Sequence, residues 1–214
     1  MDQTPALSRF DEFYRTSTPP WVIGEPQPAI VAVERAGLIR GSVLDVGCGT
    51  GEHTILLTDL GYDVLGIDAA PEAVAQARRN AETKGVTARF EVADAMNLSD
   101  QPGYDTIVDS ALFHIFDDDD RPRYVASLHN ACKPGGLVHV LALSDAGRGF
   151  GPQVSGETIR DAFGDGWDLE ALEPTTYRGV VTEIHADQLG LPVGARVDEP
   201  AWLARVRKVH VGSS

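Results

Sequence analysis

Short apolar runs alternate along this chain with longer stretches of helical periodicity. Continuous aliphatic and β-branched residues are typical of strands that are covered on both faces. Such runs predict strands at VLDV (43–46), DVLGID (63–68), ARFEVAD (88–94), YDTIVDS (104–110) and LVHVLALS (137–144). Strands that alternate with helices in this way predict a parallel sheet with helices on both faces.

Helical periodicity occupies the intervals between these runs. PAIVAVERAGLI (28–39) places apolar residues on one face and is expected to end at Gly41. PEAVAQARRNAETKG (71–85) begins with a proline suited to a first helical turn and closes on a glycine suited to a C-terminus. Further helices are predicted at EHTILLTDL (52–60) and from about Pro122 to Cys132.

The last seventy or so residues have a weaker pattern. SGETIRDAF (155–163) predicts a helix, WDLEALEPTTYR (167–178) a sixth strand, and AWLARVRKV (201–209) a strand or a short helix. The stretch HADQLGLPVGARVDEP (185–200) favours an insertion loop.

Composition and charge exclude several function classes. The chain has 32 acidic and 18 basic residues and a net charge of −14, which disfavours nucleic acid as a partner. The two cysteines, Cys48 and Cys132, lack the spacing of a zinc site or a disulfide framework, so we expect no metal and a reduced, cytoplasmic setting. No run is long enough to span a membrane, no signal peptide is evident, and nothing implies a protein partner.

The glycine-rich stretch GCGTG (47–51) follows the first predicted strand. Glycines allow the backbone to turn tightly and to approach a ligand at a helix N-terminus. A dinucleotide-binding G-x-G-x-x-G loop would need a third glycine where this chain has Glu52, which argues against NAD and FAD. A phosphate-binding Walker loop is excluded because no Lys-Ser or Lys-Thr pair follows.

DVGCGTGE (45–52) resembles the first motif of class I S-adenosylmethionine-dependent methyltransferases. Four further motifs of that family follow in order: VLGID ending at Asp68, EVADA around Asp94, YDTIVDS and KPGG. The resemblance covers residues 43–144. It implies a Rossmann-like, doubly wound, mostly parallel seven-stranded sheet, with S-adenosylmethionine as cofactor and S-adenosylhomocysteine as product.

The resemblance also implies which residues contact the cofactor. The loop residues Gly47, Cys48 and Gly49 would approach it with their backbone. Cys48 is expected to serve as a small side chain in this loop and not as a nucleophile. Asp68, followed by Ala69, would hold the ribose hydroxyls, because one carboxylate can accept from two vicinal donors.

Three further acids are candidates on the same basis. Asp94 matches the acid that recognises adenine, with Ala95 and Met96 contributing backbone. Asp45 suits either the methionine ammonium or a brace of the loop. Asp109 suits the ammonium or the substrate, or else a helix cap.

The N-terminal segment FYRTSTPPWVIGEPQP (13–28) carries aromatic residues, while its Pro and Gly residues argue against a regular helix. Trp21 would attract a sulfonium through its ring face, or would plug the edge of the core. The pattern PW-x-IG-x-P-x-P resembles the N-terminal segment of the thiopurine, halide/thiol and benzoquinone methyltransferase group. Those relatives often have an acid where this chain has Val22. This difference weakens any assignment of a particular substrate from the resemblance.

His114 lies in SALFHIFDDDDRPRY (110–124), where this fold places residues that face the substrate. An imidazole titrates near neutrality, so His114 is the best candidate for a general base, but a histidine that is packed at a turn or touches the cofactor is the favoured interpretation. We expect the acidic run 117–120 to complement the dipole of the helix that begins near Pro122, and this role is favoured over metal binding. His129, His139 and His185 stay unassigned.

We therefore expect residues 1–214 to form one methyltransferase domain, in which 1–28 is a lid, 29–144 the cofactor-binding core and 145–214 the substrate side. The expected activity is methylation of an O, N or S atom of a small, aromatic molecule such as a hydroxyquinone, phenol or heterocycle. The alternatives are a halide or thiol methyltransferase and a non-catalytic S-adenosylmethionine-binding module. Residues expected to contribute to the substrate pocket include Arg148, Phe150, Trp167 and Tyr177.

Overall fold

A computed structural model of the protein describes residue 4 and residues 7–16, 19–100 and 103–209. Its strands are β1 (Ser42–Val46), β2 (Asp63–Asp68), β3 (Arg89–Val92), β4 (Tyr104–Ser110), β5 (Cys132–Leu143), β6 (Trp167–Val180) and β7 (Arg196–Lys208). They form one seven-stranded sheet in the order β3-β2-β1-β4-β5-β7-β6. The first five strands are parallel, whereas β7 runs antiparallel to both β5 and β6.

Helices cover both faces of this sheet. They are α1 (Leu7–Thr16), α2 (Pro28–Arg35), α3 (Glu52–Asp59), α4 (Pro71–Lys84), α5 (Arg121–Ala131), α6 (Gly156–Ala162) and α7 (Glu183–Leu189), with a 3₁₀ turn at Phe113–Ile115. Side chains alternate across β1: Val43 packs with Ile30 of α2, while Leu44 and Val46 pack with Tyr124 of α5. The predicted Rossmann-like, mostly parallel seven-stranded sheet is confirmed, with β6 and β7 as an antiparallel pair.

The helix predicted over residues 28–39 is shorter than expected. It ends at Arg35 because Gly37 adopts a left-handed φ of 69°, and the N–H of Leu38 donates to the carbonyl of Val33 at 3.2 Å. The prediction that the N-terminal segment contains no regular helix was also wrong at its start. Helix α1 continues to Thr16 before the Pro19–Pro20 pair is reached.

The insertion loop predicted over residues 185–200 was wrong as well. That stretch contains most of α7 and the first half of β7. The two-residue alternation of β7 was hidden because one of its inward positions is an acid: Val197, Glu199 and Ala201 are all buried.

The carboxyl ends of β1, β2 and β4 meet at one edge of the sheet, and the glycine loop follows β1 there. Gly51 ends this loop with a φ of 88°. A Cβ at Gly51 would lie 2.9 Å from the Cβ of Ala77 and 2.9 Å from the ring of Phe90. The loop is therefore pressed against α4 and β3. No helix in the described part of the chain is long and apolar enough to cross a membrane.

Replacing Gly51 by alanine should reduce stability more than the same change at Gly85, which has a similar φ of 69° but no described atom within 4 Å of its Cβ position. The left-handed backbone alone should cost about 1 kcal/mol at Gly85. The added overlap should raise the cost at Gly51 to about 3 kcal/mol. Urea denaturation of both variants measures this difference, and equal losses would contradict the close packing.

Candidate active site

A cavity of about 610 Å³ opens at the carboxyl edge of the sheet. We call part of its lining the glycine-loop part, which consists of residues 47–50, 52, 68–70, 93–96 and 110–112. We call the large rings that also line the cavity the aromatic part: Phe10, Phe13, Trp21, Phe116, Phe150 and Tyr177. The cavity thus joins a backbone-rich surface to an apolar wall.

The glycine loop leaves no room for side chains at its first two glycines. Gly47 and Gly49 have φ values of 68° and 53°. A Cβ at Gly47 would lie 3.0 Å from Leu112, and one at Gly49 would lie 3.0 Å from the hydroxyl of Tyr14. Cys48 is buried between them, and burial together with nearby carboxylates raises the pKa of its thiol, so it remains a small neutral side chain.

Asp68 connects this loop to the start of α4. Its Oδ2 accepts a hydrogen bond from the N–H of Gly49 at 2.9 Å, and its Oδ1 accepts one from Ala70 at 2.9 Å. Both Asp68 and Ala69 are half-buried and line the cavity. Burial raises the pKa of Asp68, while the backbone donors oppose the rise. Each carboxylate oxygen keeps a further lone pair for a ligand donor.

Asp94 and Ala95 lie on the same side of the cavity, just after β3. The carboxylate of Asp94 is exposed and accepts a hydrogen bond from the N–H of Met96 at 2.9 Å. Ala95 is buried. The sequence-predicted positions Gly47, Gly49, Asp68 and Asp94 are therefore brought together around one space.

Asp45 does not line that space. Its side chain is 1% exposed, and its Oδ2 accepts hydrogen bonds from the N–H and the hydroxyl of Thr54, at 3.1 and 2.6 Å. Burial raises the pKa of Asp45 to about 6, against these two donors. Of the two roles expected from the sequence, the geometry favours the brace of the loop onto α3 over direct contact with a ligand.

Asp109 is likewise sealed, with 0% exposure. It accepts hydrogen bonds from the hydroxyl of Tyr124 at 2.7 Å and from the N–H groups of Leu112 and Phe113 at 2.9 and 3.2 Å. Burial raises its pKa to about 6. The expected contact with a cofactor or substrate is thus corrected, because this carboxylate instead fixes the turn that carries His114.

The start of that turn is strained. Ala111 has a φ of 73°, a left-handed conformation that costs a residue with a Cβ about 1–2 kcal/mol. Its N–H donates to the carbonyl of Leu141 at 2.9 Å, which holds the turn against β5. The preceding Ser110 lines the cavity, and its buried hydroxyl has no partner among the described residues. Strain and an unpartnered hydroxyl at one cavity wall are typical of a ligand site.

Trp21 covers the glycine loop together with α1. Its Nε1 donates to the hydroxyl of Tyr14 at 2.8 Å, and its ring lies 6.0 to 6.3 Å from those of Phe10, Phe13 and Tyr14. The carbonyl of Pro20 accepts a hydrogen bond from the N–H of Val180 at 2.8 Å. The segment is therefore docked on β6 as a wall of the cavity.

His114 is buried and lines the cavity near the end of β5. Its Nδ1 accepts a hydrogen bond from the N–H of Leu143 at 3.0 Å. Burial lowers the pKa of His114 to about 4. Because a backbone N–H can only donate, the proton of the neutral ring sits on Nε2, and no free ring lone pair is left for the predicted base role.

The sequence left His185 unassigned, yet it also lines the cavity. It stacks on Phe150 with ring centroids 4.7 Å apart, and its Nδ1 lies 2.8 Å from the hydroxyl of Thr182. Among the pocket residues expected from the sequence, Phe150 and Tyr177 line the cavity. His185 lies on α7, which connects β6 to β7, and the pairing of these two strands brings it to the cavity. The residues around His185 in the sequence therefore carry no motif that predicts this position.

Two other expected pocket residues lie elsewhere. Arg148 binds the buried carboxylate of Glu199, and Trp167 packs edge-on against Phe163. The carboxylate of Asp117 accepts hydrogen bonds from two amides of the acidic run, and Asp118 and Asp120 form ion pairs with arginines of the first turn of α5. No group of three His, Cys, Asp or Glu side chains within the described residues could hold a metal ion.

Comparison with known proteins agrees with this arrangement. Residues 43–136 match the methyltransferase domain family. The chain is 35% identical over 164 residues to a 2-heptyl-1-hydroxyquinolin-4(1H)-one methyltransferase of Mycobacteroides abscessus, which covers 73% of this chain and 71% of that relative. The chain belongs to the class I S-adenosylmethionine-dependent methyltransferases. Its cofactor is S-adenosylmethionine.

This methyltransferase is also similar to two solved structures and to a further curated relative. A solved structure from work on the conversion of a disulfide bond into a thioacetal group during echinomycin biosynthesis has a TM-score of 0.86 and 37% identity, and covers 96% of this chain and 94% of that one. The ubiquinone biosynthesis O-methyltransferase of Xanthomonas euvesicatoria is 32% identical over 161 residues, covering 70% of this chain and 66% of that relative. An S-adenosylmethionine-dependent methyltransferase from Anabaena variabilis shares the fold at 16% identity, with a TM-score of 0.75 over 97% of this chain and 98% of that one.

The glycine-loop part of the methyltransferase suits this cofactor. Gly47 and Gly49 line the cavity without a side chain, so a ligand can approach their backbone. Asp68 can accept from hydroxyl donors, and Ser110 offers an unused hydroxyl.

Replacing Tyr124 by phenylalanine should lower the free energy of unfolding by about 1–3 kcal/mol, because buried Asp109 would lose a donor. Cofactor affinity should change less than about twofold, since neither residue lines the cavity. Thermal unfolding and calorimetric titration with S-adenosylmethionine measure the two effects. The Tyr62→Phe variant, which removes a half-buried hydroxyl bound to Glu34, is the control. A large loss of affinity in Tyr124→Phe would restore a ligand role for Asp109.

Proposed function

We propose that this methyltransferase transfers the methyl group of S-adenosylmethionine to an O, N or S atom of a small aromatic molecule in the cytoplasm. Suitable methyl acceptors are hydroxyquinolones, hydroxyquinones, phenols and heterocycles. The observation that carries the proposal is the cavity whose lining combines the glycine-loop part with the aromatic part. S-adenosylhomocysteine is the second product.

The glycine-loop part would hold the cofactor. Gly47, Cys48 and Gly49 would approach it through their backbone, and Asp68 would accept from the ribose hydroxyls beside Ala69. Asp94 and Ala95 would contact the adenine. These roles rest on the positions of the residues around one space and on the match to the family's motifs.

The N-terminal segment would act as the lid of this single domain. The ring of Trp21, whose Nε1 donates to the hydroxyl of Tyr14, would face the sulfonium, a contact worth about 1–2 kcal/mol when water is excluded. The core over 29–144 would then position the cofactor, and residues 145–214 would supply the rest of the acceptor wall through Phe150 and Tyr177.

The aromatic part would hold a flat methyl acceptor in line with the methyl group. The bound cofactor supplies a carbon that is activated for displacement by its positive sulfur. Rings that fix a planar molecule reduce the entropic part of the barrier, and such positioning can supply roughly 7–11 kcal/mol. The apolar wall also excludes water from a reaction in which opposite charges are neutralised.

The names of the relatives support an aromatic methyl acceptor. One relative is named for a hydroxyquinolone and another for ubiquinone biosynthesis, and the chain spans about two thirds or more of both. A halide or thiol methyltransferase is the second candidate, which the PW-x-IG segment around Trp21 favours. The third is a module that binds the cofactor without turnover.

The first experiment incubates the protein with S-adenosylmethionine and a panel of hydroxyquinolones, hydroxyquinones, azaheterocycles, thiols and iodide. S-adenosylhomocysteine release is the readout. Release with an aromatic class supports the proposal and identifies the atom that is methylated. Release only with iodide or thiols favours the second candidate, and tight cofactor binding without any release favours the third.

Replacing Asp68 by asparagine should weaken S-adenosylmethionine binding by about 10- to 100-fold, because a charged hydrogen-bond acceptor is lost at the ribose. The Asp63→Asn variant is the matched control, since Asp63 begins the same strand but is exposed and pairs with Arg89. Calorimetric titration measures the affinities, with thermal unfolding as a check of the fold. Equal affinities in the two variants would argue against the ribose contact.

A further inference from the structure

The position of His114 is fixed from two directions. Asp109 accepts from the N–H groups of Leu112 and Phe113, which shapes the 3₁₀ turn that carries the imidazole. The N–H of Leu143 on β5 then donates to its Nδ1 at 3.0 Å. Both the place of the ring and the direction of its Nδ1 lone pair are therefore set by the backbone around it.

This arrangement assigns the protonation state of the ring. The N–H of Leu143 needs a lone pair on Nδ1, so the proton of the neutral imidazole is on Nε2. A second proton would place an N–H group against the N–H of Leu143 and would also charge a buried side chain. His114 can then donate a hydrogen bond into the cavity, but it cannot accept a proton there.

The other titratable groups on the cavity wall have different hydrogen-bond or ion-pair partners. Glu52 accepts from the hydroxyl of Thr50, and Glu25 pairs with Arg196. Asp68 and Asp94 belong to the glycine-loop part, and Glu183 is exposed at the start of α7. His53 also lines the cavity, and its Nε2 accepts a hydrogen bond from the N–H of Gln27 at 3.0 Å, which places the proton of its neutral ring on Nδ1. His185 instead lies beside the hydroxyl of Thr182, which can either donate or accept, so its tautomer is not imposed by a backbone group.

We propose that His114 donates a hydrogen bond from Nε2 to the reacting atom of the methyl acceptor, and that the site selects acceptors that arrive already ionised. This inference rests on the proposed function. A hydrogen-bond donor stabilises an anionic oxygen and orients its lone pair. The favoured class is therefore acidic hydroxyl compounds, such as N-hydroxy heterocycles, enols of quinones and electron-poor phenols.

The reaction then needs no proton transfer to the protein. An electron pair of the anionic oxygen forms the bond to the methyl carbon as the bond from carbon to sulfur breaks. That second electron pair stays on sulfur and converts the sulfonium into a neutral thioether. The negative charge on oxygen and the positive charge on sulfur disappear together, and no co-reactant is required.

The first test is a pH profile of kcat/KM for a series of aromatic hydroxyl compounds whose solution pKa values range from about 5 to about 9. The rise in rate should move along the pH axis with the pKa of each compound, because the reacting form is made in solution. A rise at one fixed pH for the whole series would overturn the inference. Loss of that fixed rise in His185→Gln would then identify His185 as the base.

The second test separates the two ring nitrogens of His114. In His114→Asn the amide oxygen can replace Nδ1 as the partner of Leu143, while the donor at Nε2 is lost. In His114→Gln the amide nitrogen can replace the Nε2 donor, while the Nδ1 partner is lost. We expect kcat/KM to fall about 10- to 100-fold in His114→Asn with the pH of the rise unchanged, and to fall less in His114→Gln.

Full activity in His114→Asn would overturn the donor role. Thermal unfolding and S-adenosylmethionine binding check that each variant is folded, and His114→Phe, which lacks both ring nitrogens, sets the lower limit. The outcomes also separate the inference from the function on which it rests. Methyl transfer with a fixed pH profile refutes the inference alone, whereas no transfer to any acceptor despite bound cofactor refutes the proposed function and the inference with it.

Discussion

The site depends on carboxylates that hold backbone amides at the ends of the central strands. Asp45, Asp68 and Asp109 lie at or near the ends of β1, β2 and β4, and each accepts an N–H from a loop or helix that follows one of those strands. A buried carboxylate is costly unless donors surround it, so each of these acids specifies the path of the chain around it. The cavity is the space that these tied loops leave open.

The three acids differ in exposure, and this difference separates a structural role from a binding role. Asp45 and Asp109 are sealed and serve the shape of the loops, whereas Asp68 keeps one side towards the cavity. The same hydrogen-bonding pattern can therefore brace a loop or present a ligand contact. Asp45 and Asp109 are the next-to-last residues of β1 and β4, whereas Asp68 is the last residue of β2. A strand-end motif therefore indicates where an acid lies in the fold, whereas the burial and the hydrogen-bond partners of that acid determine its role.

Much of the fold was predictable from the sequence because its signals are local. Apolar runs located the five parallel strands, and the closely spaced glycines before Glu52 located the loop between β1 and α3. Helix α4, with its N-terminal proline and Gly85 at its end, was also predicted correctly. Each of these features depends on residues that are close together in the chain.

The rest depends on contacts between residues distant in the sequence. The buried acid Glu199 disguised β7, and the stacking of His185 on Phe150 exists only because β6 and β7 bring α7 over the cavity. The tautomer of His114 likewise follows from an amide on β5, 29 residues further along the chain. Spacing alone gives no access to such partners, which is why the sequence left both a base role and a packed role open for His114.

Ala111 gives this site a property that the fold as a whole does not share. Its left-handed backbone persists only while β5 and the amides around Asp109 hold it, so the wall that carries His114 is a region of local frustration. Changes elsewhere that slightly loosen the core will release this wall before they unfold the sheet. Catalytic competence therefore has a narrower mutational tolerance than the fold that supports it.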